Sequence, residues 1–278
     1  MRNVIIYAAI FFIIGCGTEY KFKKANKLIK EEAYLVAISV YQDIESSDKN
    51  RAAEAFYREA EIFRKYLFLY PEAIKGYRIV YELYPQQSDW AKKAKLGAFN
   101  SPDYFPIKEG NMWIEVDSQT GGKNLRAEMV CSEVKGKGDP EPVVFLDTKY
   151  FAGKKLVPGI SGKNYFSKQS LELKQYQNYE KDIYQTVLRF PFEKGNEWVT
   201  KEGKRELRCM IEDVGVVCKV KAGNFKNCIK ISKHYEGLGA ITYVYYAPNI
   251  GKILVTIKSP GSKKETRNTE LSSFKIKD

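Results

Sequence analysis

The sequence predicts an α+β chain in which α-helical hairpins come first and an antiparallel all-β meander, folded as a sandwich or a half-barrel, follows. Three observations support this prediction. Residues 20–99 are rich in Ala, Glu, Lys and Leu and contain only Pro71, Pro85 and two glycines, a composition typical of helices. Beyond a proline-containing break at residues 100–105, apolar residues alternate with a period of two. Frequent Gly- and Pro-containing turn signals then separate many short strands.

The N-terminus carries an unbroken apolar run, residues 4–14, after Arg2. A membrane-spanning helix needs about 20 such residues, so the run predicts a signal peptide over residues 1–15. The run ends in "IIGC", which resembles the lipobox of bacterial lipoproteins. In that family the cysteine thiol receives a diacylglyceryl group, cleavage occurs before the cysteine, and its new amino group is acylated, with palmitate as the expected chain.

This resemblance implies that Cys16 is the lipidation site and that residues 16–19 form a lipidated tether to the membrane. Two or three acyl chains make a stable anchor where a single chain does not. The alternative is a plain secretory signal whose cysteine is incidental. Gly17 and Thr18 lack the Asp that retains many lipoproteins in the inner membrane. The expected location is therefore the cell envelope, at the periplasmic face of the outer membrane.

Residues 20–99 are predicted to form a helical domain with an internal repeat. "AISVYQDI" at 37–44 recurs as "AIKGYRIV" at 73–80, an offset of 36 residues. A small residue, an aromatic residue four positions later and a closing "YP" resemble the tetratricopeptide repeat, and in particular the repeats of BamD-type outer-membrane assembly lipoproteins. That resemblance implies a concave face for a protein partner in the envelope. The candidate groove-lining anchors are Tyr41, Tyr57, Tyr77 and Tyr81.

An alternative for this segment is a plain stack of helical hairpins that holds the next domain off the membrane. In that case the same tyrosines lie in the core between the helices.

Residues 103–278 are predicted to form the antiparallel β-domain. "RELRCMI" places Leu207, Cys209 and Ile211 on one face of a strand, and "ITYVYY" at 241–246 is β-branched or aromatic throughout. These segments and the turns between them favour a meander, sandwich or barrel.

A nonapeptide occurs twice in the β-domain, as "FPIKEGNMW" at 105–113 and "FPFEKGNEW" at 190–198. Its proline fits only the edge or the start of a strand. Its Gly-Asn pair matches a two-residue turn with positive φ at Gly. The shared positions include no nucleophile, base or metal ligand. The motif therefore predicts a structural device, with Trp113 and Trp198 buried at strand starts and a phenylalanine near each turn.

Two further stretches carry a resemblance. "AGNFKNCIKI" at 222–231 and "YAPNIGKI" at 246–253 resemble the "AGtFknC…YapgvG" pattern of a group of uncharacterised bacterial secreted and lipoprotein β-domains. In that group a "yfPl..Gn.W" stretch also precedes the pattern. The resemblance implies a shared fold and no particular activity.

Several kinds of chemistry lack the residues that they need. The chain has one histidine, His234, near a predicted strand end, which argues against a zinc site and a histidine-based triad. It has no phosphate-binding loop and no paired-carboxylate signature. The excess of basic residues, formally +12, is scattered and accompanies no nucleic-acid-binding module. We therefore predict no catalytic residue, no metal, no cofactor and no nucleic-acid partner; the protein is predicted not to be an enzyme.

Four cysteines follow Cys16, and an even number in an exported chain predicts disulfides: Cys131, Cys209, Cys218 and Cys228. Four cysteines allow three connectivities. If Asp213-Val214 forms a turn, Cys209 and Cys218 face each other across a hairpin and form a possible disulfide. If Gly215 takes a bulge position instead, the register slips and they do not. The alternative is four small buried apolar residues.

The leading interpretation is a lipid-anchored envelope protein that acts as a non-enzymatic binding or scaffold protein through its helical repeats. The alternative is that the β-domain is a half-barrel that carries lipid or another hydrophobic ligand. A weaker third option is an unrecognised hydrolase. A deep apolar pocket in the β-domain favours the carrier, whereas a closed sandwich with an exposed helical groove favours the scaffold.

Overall fold

The structure, a computed structural model, describes residues 17–135, 143–178 and 181–277. Within these residues five helices are followed by a 13-stranded antiparallel sheet, which confirms the predicted α+β fold class. The chain divides into two compact units between Ser101 and Pro102. Cys16, the predicted lipidation site, lies outside the described residues.

Five helices of similar length build the first unit: α1 (17–30), α2 (Tyr34–Ser47), α3 (Ala52–Lys65), α4 (Tyr70–Leu83) and α5 (Ser88–Phe99). Helices α2 to α5 begin at residues 34, 52, 70 and 88, so helix pairs recur at the 36-residue offset of the sequence repeat. Each of these helices packs on the next.

Small residues let the helices approach closely. Many buried positions in this unit are alanines with no exposed surface, among them Ala37, Ala60 and Ala73. A Cβ atom added to Gly97 would lie 2.5 Å from the ring of Tyr77. The Tyr77 ring therefore lies directly against the backbone of α5, and it is part of the core between helices.

The strands of the second unit are β1 (Met112–Asp117), β2 (Arg126–Lys135), β3 (Val143–Ala152), β4 (Lys155–Leu156), β5 (Gly162–Gln169), β6 (Glu172–Asn178), β7 (Ile183–Arg189), β8 (Glu197–Glu202), β9 (Arg205–Val220), β10 (Gly223–Tyr235), β11 (Ile241–Ala247), β12 (Gly251–Lys258) and β13 (Thr266–Lys275). A short 3₁₀ turn, Pro158–Ile160, lies between β4 and β5.

Two meanders make up the sheet. Its order is β7-β6-β5-β3-β2-β1-β13-β12-β11-β10-β9-β8, with β4 paired to β3 alone. The chain runs outward from β1 to β7, starts again at β8 on the other edge, and returns to β13 beside β1. The sheet is the barrel-like alternative of the prediction, and it is nearly closed.

The two edge strands, β7 and β8, face each other and are joined through side chains. The Trp198 indole donates a hydrogen bond to the Thr186 carbonyl at 3.0 Å, and the Thr186 amide donates to the Thr200 hydroxyl at 2.9 Å. These bonds hold the edges together where a regular backbone ladder is missing among the described residues.

Each copy of the nonapeptide leads into the first strand of one meander. In both copies the glycine has positive φ, +85° at Gly110 and +87° at Gly195, as predicted. The turn is centred one residue earlier than predicted, because the Asn amide closes it by donating to the carbonyl of Lys108 or of Glu193. Glycine thus occupies the third position of a four-residue turn, where type II turns need positive φ.

The two copies also share a hydrogen bond of the asparagine side chain. The Asn111 side-chain amide donates to the Pro106 carbonyl at 3.3 Å, and the Asn196 side chain donates to the Pro191 carbonyl at 2.8 Å. Trp113 and Trp198, at the second position of β1 and β8, are 6% and 2% exposed. The motif is therefore one structural solution used twice, as the residues predict.

Strand β9 corrects the predicted pairing of Cys209 with Cys218. Both cysteines lie in this one continuous strand, nine residues apart, which separates them by about 25–30 Å. Gly215, with φ of +76°, lies in a β-bulge, since Val216 pairs with Cys228 while Asp213 pairs with Lys230. The bulge alternative is thus the observed one, and a hairpin at Asp213-Val214 is wrong.

Candidate ligand-binding cavity of the β-unit

The curved sheet surrounds an interior cavity of about 280 Å³. Strands that are far apart in the sheet order contribute to its wall, so the sheet wraps around it. The lining residues come from the segment before β1 and from nine strands: Phe105, Trp113, Glu115, Met129, Leu146, Thr148, Tyr150, Asn164, Phe166, Gln175, Val187, Lys233, Tyr235, Thr242, Val244, Tyr246, Gly251, Lys252 and Val255.

Strand periodicity explains why these residues share the cavity. Alternate residues of a strand point to one face of the sheet. Trp113 lies opposite Met129, Met129 lies opposite Thr148, and Leu146 lies opposite Asn164 across consecutive strand pairs. Aromatic and aliphatic side chains thus form a continuous part of the wall.

Trp113 joins the repeated nonapeptide to the "YAPNIG" turn. Its indole N–H donates to the Ile250 carbonyl at 2.6 Å. The next residue, Gly251, has φ of +109°, and a Cβ atom there would lie 3.5 Å from the indole nitrogen. Two of the sequence stretches that carry the resemblance to the lipoprotein β-domain group, residues 105–113 and 246–253, therefore meet at one wall of the cavity.

One side of the cavity carries the neutral polar side chains of Thr148, Asn164 and Gln175, and Gln185, outside the lining, adjoins Gln175. The Asn164 side chain donates to the Thr148 hydroxyl at 3.0 Å, and the Gln185 side chain donates to the Gln175 side-chain carbonyl at 2.8 Å. The carbonyl oxygen of the Gln185 side chain is buried and has no hydrogen-bond partner within the described ranges. These side chains offer hydrogen-bonding groups beside an apolar wall.

An ion pair lies on the other side. The Lys252 ammonium contacts the Glu115 carboxylate at 3.0 Å. Burial alone lowers the pKa of Lys252, but Glu115 outweighs that effect and the pKa is raised. Lys252 and Glu115 therefore neutralise each other.

Lys233 is a second lysine in the cavity wall, and the Lys252–Glu115 ion pair does not neutralise its charge. It lies between Cys209 on β9 and Thr242 on β11. Burial is the largest effect and lowers the pKa of Lys233; Cys209 and Glu202 oppose it, and the positive charge of Lys252 adds a smaller lowering effect. Across the residues that the structure describes, no carboxylate forms an ion pair with Lys233.

The nearby carboxylate of Glu202 acts on Lys233 through its charge, but it is exposed and forms no ion pair with Lys233 among the described residues. It accepts a hydrogen bond from the Tyr235 hydroxyl at 2.6 Å. Burial raises the pKa of Tyr246, and Glu115 raises it further, so this phenol stays neutral. The cavity therefore presents one ammonium group in need of an anionic partner.

The segment before β1 is held in place by contacts to distant parts of the sheet. The Lys168 ammonium, on an almost fully buried side chain of β5, contacts Asp103 at 2.7 Å. The Tyr104 hydroxyl donates to the Asn227 carbonyl at 2.9 Å, and the Asn249 amide donates to the Asp103 carbonyl at 2.6 Å. This segment thereby positions Phe105, which lines the cavity and packs on Phe166 with the two ring centroids 4.9 Å apart.

A second depression, of about 570 Å³, lies beside β4 and the 3₁₀ turn. Its lining includes two exposed lysines, Lys149 and Lys163, and two carboxylates, Glu128 and Asp147. These charges face solvent and balance each other, so we regard the interior cavity as the better candidate site.

The predicted partner-binding tyrosines are only partly accessible. Tyr41 and Tyr77 have no exposed surface, so as groove-lining anchors they are wrong; they belong to the core between helices. The Tyr77 hydroxyl donates to Glu61 and accepts from Arg64, and burial raises its pKa. Tyr57 and Tyr81 are half-buried, and their role as anchors stays a prediction.

Sequence reasoning missed the charged residues of the cavity. Glu115 lies two positions after Trp113, and Lys233 lies two positions after the buried Ile231. A strand places residues at that spacing on the same face. A charge in phase with the buried face of a strand is therefore the signal that could have identified them.

Two features, a metal site and a membrane-spanning helix, are not found among the described residues. No group of His, Cys, Asp and Glu side chains among them has the arrangement of a metal site. No helix in this part of the chain combines the length and the apolar character needed to cross a membrane.

Comparison with known proteins identifies structural neighbours only. No protein-family model and no curated protein sequence matches the chain. One solved structure that is similar is a candidate lipoprotein from Parabacteroides distasonis, with 16% identity and a TM-score of 0.40. Another is a candidate exported protein with a YmcC-like fold from Bacteroides fragilis, with 13% identity and a TM-score of 0.43. Each match covers 62% of this chain and 98% of the other.

Proposed function

We propose that this chain is a cell-envelope lipoprotein, anchored through Cys16, whose β-unit binds a small amphipathic ligand that carries a negatively charged group. The observation that supports this proposal is a largely apolar cavity that contains one ammonium group, that of Lys233, without an ion-pair partner among the described residues. The carrier alternative from the sequence thus has more support than the helical scaffold.

The size of the cavity limits the ligand. Ligand pockets typically measure about 300–1,000 Å³, so 280 Å³ is just below that range. With about 30 Å³ for each water-sized group, the cavity holds roughly nine such groups. The ligand is therefore a medium-chain carboxylate, most of whose groups the cavity can hold, or one end of a longer lipid.

The electrostatic balance selects an anion. Lys233 is partly buried, and removing a charge without an ion-pair partner from water is costly, which is why burial lowers its pKa. An anionic group placed beside the ammonium would stabilise its charged form, while the aromatic and aliphatic wall would bury the apolar part of the ligand.

The ligand preference is testable with Lys233→Met, a change that removes the ammonium and keeps an apolar side chain of similar length. We expect decanoate to bind the wild type and to bind Lys233→Met about 10- to 100-fold more weakly, because a hydrogen bond to a charged group is worth about 1.5–3 kcal/mol. Displacement of a fluorescent fatty-acid probe, measured on the full-length protein, gives the affinities.

Two controls separate charge recognition from general effects. Lys219→Met changes an exposed lysine of β9 and should leave decanoate affinity unchanged. Decanol, which lacks the charge, should bind the wild type as weakly as decanoate binds Lys233→Met. Equal affinity of the wild type for decanoate and decanol, or undiminished decanoate binding by Lys233→Met, contradicts the proposal.

A second candidate function, docking of a partner protein on the helical unit, has its own observation. Leu35 and Phe68 are 73% and 65% exposed. Stacking of Tyr34 on Tyr66, with ring centroids 4.8 Å apart, brings the start of α2 next to the end of α3, so both apolar side chains lie at the same end of the unit. Exposed apolar clusters of this kind often mark interaction sites.

We expect the double change Leu35→Ser and Phe68→Ser to reduce crosslinking to an envelope protein about tenfold or more, since interface anchors are typically worth more than 1–2 kcal/mol. Crosslinking in intact cells followed by mass spectrometry measures this. Tyr20→Ser, at a residue that is 68% exposed on α1, is the matched control. An unchanged set of crosslinked partners in the double variant would reject this second candidate.

A further inference from the structure

The β9–β10 hairpin brings Cys218 and Cys228 onto the same face of the sheet. Phe225 pairs with Cys218, and Cys228 pairs with Val216. Residues two apart on a strand share a face, and directly paired residues share a face as well. Cys228 is therefore the diagonal neighbour of Cys218.

Both cysteines are free and buried in the structure; the Cys228 thiol donates to the Lys226 carbonyl at 3.8 Å, and each thiol affects the pKa of the other. The pKa of Cys218 is lowered, first by a hydrogen bond with the Cys228 thiol, and then, against the effect of burial, by the positive charges of Arg267 and Lys230. The same hydrogen bond, together with burial, raises the pKa of Cys228. One thiol of the pair is thus the better nucleophile and the other is adjacent to it.

Cys209 has a different environment. It lies in the distant half of β9 and has no exposed surface, and burial raises the pKa of its thiol to about 11. It therefore serves as an internal reference for a buried cysteine outside the pair.

We propose that Cys218 and Cys228 form a disulfide in the oxidising envelope. The Cys218 thiolate attacks a sulfur of an oxidising disulfide, either that of a thiol oxidoreductase or oxidised glutathione, and displaces one thiolate. Cys228 then loses its proton and attacks the Cys218 sulfur of the mixed disulfide, which releases the second thiolate. The protein loses two hydrogens in total, and the oxidising disulfide is reduced to two thiols.

The position of this pair gives the disulfide a structural role. Between Phe225 and Cys228 the register shifts, and Asn227 has a positive φ of 56°. The Asn227 carbonyl accepts the hydrogen bond from Tyr104 in the segment that positions Phe105. A disulfide across this irregularity would hold in place the carbonyl group that accepts this hydrogen bond. The loop that the disulfide closes is short, so the entropic cost of closing it is small.

The deciding experiment is peptide mapping under non-reducing conditions. The full-length protein is isolated from its own cells after free thiols, including the buried ones, are blocked with N-ethylmaleimide under denaturing conditions. We expect one peptide pair linked through Cys218 and Cys228, with Cys209 carrying the blocking group. Recovery of both Cys218 and Cys228 as blocked thiols, or of either one linked to another cysteine, would overturn the proposal.

Thermal unfolding gives an independent measurement of the same bond. Reductant should lower the melting temperature of the wild type by about 5–10 °C, the shift expected for a cross-link that closes a short loop in a domain of this size. The Cys218→Ala, Cys228→Ala double variant should show no response to reductant. A Cys209→Ala variant should keep the full response, and an unchanged response in the double variant would contradict the assignment.

Discussion

Trp198→Ala is expected to lower the free energy of unfolding by about 3–5 kcal/mol, the usual cost of truncating a fully buried tryptophan. The indole is 2% exposed, and its N–H donates to the Thr186 carbonyl across the junction between β7 and β8. The substitution thus removes apolar burial and leaves a carbonyl acceptor without its donor. Urea unfolding followed by circular dichroism measures the loss.

Trp113→Ala should cost a similar amount, with an additional effect. Trp113 lines the interior cavity, whereas Trp198 is not among the lining residues. Truncation of Trp113 therefore enlarges the cavity, and bound decanoate should recover part of the lost stability. In Trp198→Ala, decanoate should stabilise the protein only as much as it stabilises the wild type.

The neighbouring residues provide matched controls for both tryptophans. Met112 and Val199 are adjacent to Trp113 and Trp198 but point to the exposed face, with exposed fractions of 38% and 51%. Met112→Ala and Val199→Ala should change the unfolding free energy by less than about 0.5 kcal/mol. If either tryptophan variant were as stable as its control, the structural interpretation of the nonapeptide would be wrong.

The fold class was accessible from the sequence because its signals are local. Helix composition, the 36-residue offset and the change to a period of two each depend on neighbouring residues. Leu207, Cys209 and Ile211, predicted to share one face, are all buried. The same holds for the two tryptophans, since a turn signal directly before a strand fixes where the strand begins.

Features that depend on the pairing of strands distant in the sequence could not be predicted from the sequence. A strand with Gly215 can turn back or continue through a bulge, and only its pairing with β10 decides between these outcomes. The closure of the sheet depends on the meeting of β7 and β8, strands at opposite ends of the sheet order. For the same reason, the sequence could not show that Cys218 and Cys228 lie on neighbouring strands and share a face of the sheet.

The tyrosines show how one pattern supports two structures. A small residue followed four positions later by an aromatic residue fits a groove as well as it fits a core. Tyr77 became a core residue because Gly97, on the next helix, leaves room for its ring. Its hydroxyl is satisfied by Glu61 and Arg64, which removes the cost of burying it.

Cys16→Ser is expected to abolish incorporation of labelled fatty acid completely. The proposal depends on the "IIGC" stretch and on the apolar run before it, whose eleven residues are too few for the roughly 20 that a spanning helix requires. The wild type should carry two or three acyl chains, enough for stable anchoring. Labelling in the cells of origin, followed by fractionation, should find the wild type in the membrane fraction and should find the variant unlabelled and unprocessed.

A cysteine elsewhere in the chain controls for loss of a thiol as such. Cys218→Ser should retain the label, because the proposal confines acylation to Cys16. The location of the anchor can be tested in the same cells, since separation of the two membranes should place the labelled protein with the outer membrane. A wild type that carries no label would show that the N-terminal segment is a plain secretory signal, and the cavity would then act in a protein without a lipid anchor. Label that persists in Cys16→Ser would show that another residue is acylated. Either outcome contradicts anchoring through Cys16.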